Sequence, residues 1–240
     1  MEIKILHLIE GAKAAEGIVV IIDVFRAFSV EAYFMAGGAE KVIPVGDADI
    51  AYRLKAQNPE MILAGERHGK MLPGFDVGNS PSQLMGIDAR GKTVIHTTSA
   101  GTQGIANAVH AQEILGGSLV NAKATAEYIR RNGAEKVSLV CMGWEAQTQT
   151  EEDNLCAYYI KSLLENEPMD LQAEIEKLKV TSGAKFFDKA QNEVFPEGDF
   201  HLCTDVDKFD FVLKLEKSPD GLHYMKKMLI DILRKNSHNI

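Results

Sequence analysis

Short runs rich in Val and Ile recur along the chain at intervals that a helix can fill, and this rhythm constrains the fold more than any other feature. The runs are GIVVIID (17–23), KVIPV (41–45), EMILAGE (60–66), KTVIHTT (92–98), EILGG (113–117) and KVSLVCMG (136–143). IKILHLI (3–9) is a candidate further strand. These runs are too short and too continuously apolar for amphipathic helices, and they suit strands buried on both faces. Helix-compatible segments lie between most of them. SVEAYFMAGG offers Ser29 as an N-cap and Gly37-Gly38 as a stop, and DADIAYRLKAQNP opens on acids and ends before Pro59. NSPSQLMG sets a serine before Pro81 at a first helical position, and GTQGIANAVHA and NAKATAEYIRRNG continue the alternation. Strand and helix taking turns predicts an α/β fold: a mostly parallel sheet with helices on both faces, in three α/β/α layers.

The rhythm changes after about residue 150. TEEDNLCAYYIKSLLENEP reads as a helix capped by Thr150, with Asp153 near the capping-box position, and MDLQAEIEKLKV as a second helix. The tail, FPEGDFHLCTDVDKFDFVLKLEKSPDG, reads as strands and turns, forming either an edge of the main sheet or a smaller α+β lobe. With no internal repeat or low-complexity linker, one domain over residues 1–240 is expected.

Bulk properties exclude several classes. A net charge of -8 argues against a duplex nucleic-acid surface, though not against a small anionic ligand in a locally basic pocket. No apolar run approaches the roughly 18 residues of a membrane span, and the N-terminus does not read as a secretory leader. Three cysteines, Cys141, Cys156 and Cys203, lack CxxC spacing, which disfavours a disulfide framework or a zinc knuckle. The expected setting is therefore the reducing cytoplasm. Oligomerisation is expected only on the general ground that symmetric dimers are common.

Polar groups gather where the predicted strands end, the edge at which open α/β sheets bind ligands. VVIID ends in Asp23, followed by Arg26 and Ser29. Asp23 is as readily a helix cap as a functional acid, and Arg26 as readily a surface ion pair as a ligand group. TVIHTTSAGTQG brings Thr97, Thr98, Gly101 and Thr102 to a helix start, either an ordinary turn or an anion cradle; it lacks the Walker ending. The strongest stretch is AGERHGKMLPGFDVGNSP (64–81). Its glycines 65, 69, 74 and 78 can fold a loop round a ligand. Glu66 and Asp76 are hard oxygen donors suited to Mg²⁺. Arg67 carries a fork that grips oxyanions, and Asn79 and Ser80 stand at a helix start. A solvated surface loop is the competing reading. His68 reads as exposed or as a general acid, and His96 as a hydrogen-bonded core residue. Trp144 either walls a pocket or packs, and Glu152 and Asp153 are either late metal ligands or acids favoured by a helix dipole.

Taken together, IDVFRAFS (22–29), GERHGKMLPGFDVGNSP (65–81) and TTSAGT (97–102) resemble the 2-phosphosulfolactate phosphatase (ComB-like) family. EEDNLCA (151–157) and GDFHLCTDVDKFDFV (198–212) match more loosely. The resemblance implies a Mg²⁺-dependent phosphatase that converts (2R)-2-phospho-3-sulfolactate to 3-sulfolactate and phosphate in a route towards coenzyme M. On that reading Asp23, Glu66 and Asp76 organise Mg²⁺, and Arg26 and Arg67 hold the phosphate and sulfonate. Ser29, Asn79, Ser80, Thr97, Thr98, Gly101 and Thr102 add contacts to the small anionic substrate. Attack by water is preferred over an aspartyl phosphate. Arginine is absent six residues after each cysteine, and Phe25 stands where a haloacid-dehalogenase pattern needs a second Asp. Other phosphorylated hydroxy acids, and a non-catalytic binder of an anionic metabolite, are the competing functions.

Overall fold

The computed structural model describes residues 1–167 and 169–230. Strands β1 (Glu2–His7), β2 (Gly17–Ile22), β3 (Lys41–Pro44), β4 (Ile62–Arg67), β6 (Thr93–Thr97), β7 (Ala111–Gly117) and β8 (Lys136–Cys141) occupy the seven apolar runs. A two-residue β5 (Lys70–Met71) turns back on β4, and β9 (Phe211–Lys217) with β10 (His223–Leu229) forms a late hairpin. Among the described residues these make one sheet in the order β1-β8-β2-β7-β9-β10-β3-β6-β4-β5. The pairs β1–β8, β8–β2, β2–β7, β3–β6 and β6–β4 are parallel.

The hairpin stands in the middle of the sheet, where it splices two parallel halves together antiparallel. Its ladders to them are short: Leu115 and Gly116 of β7 pair with Lys214 and Leu213, and Val42 of β3 pairs with Met225. A sheet held at its centre by so few pairs can coil sharply. The helices use that coil. α1 (Leu8–Ala14), α2 (Ala27–Ala36) and α4 (Gly101–Asn107) bury Ala12, Phe28 and Ile105 in one core with Val19 and Ile21 of β2 and with Val42, Ile62 and Val94 of the other half. α5 (Ala122–Arg131) and α6 (Glu151–Glu165) cover the opposite face of the first half over Val20, Ile22 and Leu139, and α3 (Ala48–Gln57) covers Ile43, Leu63 and Ile95 of the second. Alternate residues of β2 thus enter different cores, which is why the strand reads as an unbroken apolar run.

The expected helix starts at Ser29, Thr150 and Ser80 each differ in detail from the sequence reading. α2 begins at Ala27, so Ser29 lies inside it, fully buried, donating to the Val24 carbonyl (2.8 Å) and pairing with Ser118 Oγ (2.6 Å). Thr150 makes no side-chain cap to α6. NSPSQLMG forms only a 3-10 segment, Pro81–Gly86. The 150–203 region adds α7 (Leu171–Leu178) and α8 (Glu197–Cys203), a helix where turns and strands were expected. Phe200 and Cys203, one turn apart, bury the same face of α8, and two acids stand in its first turn. α6, α7 and α8 enclose a satellite core of Leu155, Ile175, Leu178, Phe186, Phe195 and Phe200.

Leu213, fully buried in the splice, tests this arrangement. Leu213→Ala is expected to lower unfolding free energy by about 2–5 kcal/mol, measured by urea denaturation.

Candidate active site

The coil brings together strand ends that are distant in sheet order. Asp23 follows β2 and Gly101 follows β6, with β7, β9, β10 and β3 between them. Yet Asp23 Oδ2 accepts the Gly101 N–H (2.9 Å), while Oδ1 accepts the Ala27 N–H at the start of α2 (3.0 Å). Glu66, at the tip of β4, is held the same way: Oε1 accepts the Ser99 N–H and Oε2 the Gly69 N–H, both at 2.7 Å. Both carboxylates are buried, and both line one pocket. Arg26, Asn79, Trp144, Glu145 and Phe195 complete its walls.

Burial pushes the Asp23 carboxyl up to about 6, against the two backbone N–H groups that favour its charged form; the neighbouring charges of Glu66 and Glu152 push the same way as burial. Burial likewise raises Glu152, and raises Asp153 well above the ordinary carboxylate range, with Glu152 and Asp23 adding to the second shift. Asp153 Oδ1 accepts the Val24 N–H and Oδ2 the Gly143 N–H, both at 2.8 Å. Its carboxylate therefore ties the loop after β2 to the loop after β8, both of which border the cavity.

Arg26 is not a surface residue. Its Nη1 donates to Asp199 Oδ2 (2.6 Å) and to the Val194 carbonyl (2.9 Å), and its guanidinium lies 5.0 Å from the centre of the Phe195 ring. Asp199 also accepts Ser80 Oγ (2.9 Å), Ser82 N–H (2.9 Å) and Ser82 Oγ (2.6 Å). This hub escaped the sequence reading. A lone acid in GDFHLC looks like a helix-start residue, and its partners lie 117–173 positions away. Ser99, Glu145 and Phe195 were missed as well, although Ser99 stands inside the TTSAGT stretch.

Several expected ligands lie elsewhere. Asp76 is outside the cavity wall: its Oδ2 accepts the Leu63 N–H (2.8 Å) and pairs with Lys55 (3.1 Å). Arg67 donates to the Glu66 and Gly46 carbonyls and to Thr97 Oγ1, so its fork braces the strand tip. Thr98 and Thr102 bond each other across one turn, Thr102 Oγ1 donating to the Thr98 carbonyl. Gly65, with φ of 147°, owes its identity to strand packing, because a side chain there would meet the Thr97 carbonyl. His68 is exposed and pairs with Glu145 (2.8 Å). His96 is the core residue expected of it, bonded to buried Glu31 (2.9 Å) and to Asn79 Oδ1 (3.3 Å). Trp144 walls the cavity, and the Lys185 ammonium lies 4.2 Å from its ring centre. Among the described residues no cluster of three or more His, Cys, Asp or Glu side chains could hold a metal ion. The three-carboxylate set read from sequence therefore does not assemble. The pair Asp23 and Glu66 shares one cavity, and one or two carboxylates are what protein Mg²⁺ sites ordinarily supply.

A family model described as 2-phosphosulpholactate phosphatase matches residues 3–218. The chain belongs to that family. Relatives carrying the name "Probable 2-phosphosulfolactate phosphatase" include one from Bacillus subtilis (strain 168), 32% identical over 199 residues, covering 82% of this chain and 86% of the relative. A second, from Carboxydothermus hydrogenoformans, is 38% identical over 172 residues, 71% of each chain. A third, from Caldanaerobacter subterraneus subsp. tengcongensis, is 34% identical over 227 residues, covering 82% of this chain and 87% of its own. The match spans every strand end that borders the cavity. No described helix is long and apolar enough to cross a membrane.

In this family member the Arg26–Asp199 pair is fully enclosed. Asp199→Ala, which strands the guanidinium, is expected to cost about 3–5 kcal/mol of stability by urea denaturation.

Proposed function

We propose that the protein is a phosphatase that hydrolyses (2R)-2-phospho-3-sulfolactate to 3-sulfolactate and inorganic phosphate, with Mg²⁺ held by Asp23 and Glu66. Family membership supports the reaction class and the names of the relatives support the substrate. One observation carries the site assignment: two buried carboxylates, each fixed through both oxygens by backbone N–H groups, face one small cavity at the carboxyl edge of the sheet.

Bound Mg²⁺ supplies charge neutralisation on the phosphoryl oxygens, the main demand of phosphoryl transfer. The chain supplies the rest. Burial raises the Asp23 carboxyl of the metal-free protein to about 6, so it would have to lose that proton to hold the ion, and metal and proton compete for it. The attacking water gives a proton to solvent as its oxygen bonds to phosphorus, the bond from phosphorus to the ester oxygen breaks, and the ester oxygen takes a proton from solvent to leave as the hydroxyl of sulfolactate. Both Asp23 oxygens already accept backbone N–H bonds, which disfavours its use as a nucleophile on phosphorus. Asn79 and Arg26 stand on the same wall, where they can orient the phosphate. Asp76, Arg67, Ser29, Thr98 and Thr102 act in this reading by holding the scaffold.

The test is phosphate release from a panel of phosphorylated hydroxy acids, with Mg²⁺ and with chelator. Release is expected with (2R)-2-phospho-3-sulfolactate and Mg²⁺, and its loss in chelator. Asp23→Asn should cut turnover by roughly 10²–10⁴-fold while the circular dichroism spectrum stays native. In the wild type at sub-saturating Mg²⁺, kcat/KM should fall as pH drops below about 6, where a proton competes with the ion for Asp23. Tight binding of the panel without turnover would make the protein a binder of anionic metabolites.

A further inference from the structure

A second, open cleft adjoins the reaction cavity and shares Arg26, Gly69 and Asn79 with it. The two differ in the chemistry of their own walls. Asp23, Glu66 and Glu145 make the first acidic, as a site for metal and water requires. The second adds Lys70 and Gln83, with one acid, Glu193, among its lining residues.

The lining of this second cleft includes polar groups without a partner among the described residues. Gln83 Oε1 accepts the Gly78 N–H (3.1 Å), and a backbone donor fixes which end of that amide is oxygen. The Gln83 amino group is therefore the end left over, and it has no acceptor among the described residues. The Asn79 side chain stands on the wall the two pockets share and meets Nε2 of His96 at 3.3 Å, while Nδ1 of that ring meets Glu31. The Lys70 ammonium, on the short β5, makes no hydrogen bond or ion pair among the described residues. Ser80, by contrast, spends its hydroxyl on Asp199. One amide with its oxygen pinned, and one ammonium without a partner among the described residues, supply N–H donors to this cleft. Such a set suits a strongly accepting, weakly basic oxyanion.

The geometry points to this chamber as the receptor for the sulfonate end of the substrate, with Lys70 and Gln83 as its specificity-determining residues and Asn79 bridging the two chambers. The assignment rests on the phosphatase reading above and deepens it. It also replaces Arg67, which the strand tip consumes, as the group that recognises the second anion.

Gln83→Glu keeps the oxygen that receives Gly78 and turns the amino group into a repelling carboxylate oxygen. Lys70→Gln, at an exposed edge, removes the ammonium without touching a core. Each should lower the preference for 2-phospho-3-sulfolactate over 2-phospholactate, taken as the ratio of kcat/KM values, by about tenfold. Each should weaken the binding of 3-sulfolactate by a similar factor in calorimetry, a readout that needs no turnover. Hydrolysis with an unchanged preference in both variants would overturn the sulfonate receptor while leaving the phosphatase reading intact. Absent hydrolysis with sulfolactate binding weakened by both substitutions would overturn the phosphatase and retain the receptor. Failure of the wild type to bind 3-sulfolactate would overturn the receptor outright.

Discussion

The carboxylate of Asp23, shared between the Ala27 and Gly101 amides, is the contact on which the rest of the arrangement depends. It closes a gap that strand order would make wide, joining the end of one parallel half-sheet to the loop that leaves the other. A buried carboxylate is expensive, and two backbone donors offset only part of that cost. The remainder appears as a carboxyl raised to about 6 in the metal-free protein, whereas holding a cation requires the ionised form. Folding and chemistry thus make opposite demands on one group. Its ionisation opposes folding, since a proton held up to about pH 6 is released in the unfolded chain nearer pH 4. The stabilisation that the neutral form provides is complete below the unfolded value and is lost as pH rises through 6.

Other buried acids repeat the device. Asp153 links the loops after β2 and β8 through two amides, and Asp199 gathers Arg26, Ser80 and Ser82. Each fastens a loop of the cavity to a rigid element, so the walls are set by carboxyl hydrogen bonds as well as by loop packing. Lys185 lies over Trp144 beside this group of acids, and burial holds its ammonium below the usual lysine range despite the favourable charge of Glu152. The central hairpin permits the whole construction. Its short ladders let the sheet coil round α1, α2 and α4 until the strand ends converge.

Much of this was legible in the sequence because burial on both faces leaves a local mark. The Val and Ile runs of β2, β6 and β8 announce themselves, and Asp23 and Glu66 stand at their ends or at the end of β4. What escaped depends on contacts far apart in the chain. Nothing near Phe211–Lys217 says that a late hairpin will enter the middle of a sheet whose parallel strands it interrupts. Asp76 and Arg67 share a loop with Glu66, and composition cannot tell which side chains turn inward; Lys55 and the Gly46 carbonyl decide it. Ser29 looked like a cap because serine often is one, whereas here its hydroxyl serves a buried contact with Ser118. Asp199 carried no signal beyond its place in a loosely matching segment.

The most direct measurement is a crystal structure of the protein grown with Mg²⁺, orthovanadate and 3-sulfolactate. The account predicts vanadate density in the chamber lined by Asp23, Glu66 and Asn79, with the sulfonate in the adjoining chamber beside Lys70 and Gln83. Density instead in the polar cleft lined by Glu16, His110 and Lys136, at the opposite end of β2, would contradict it.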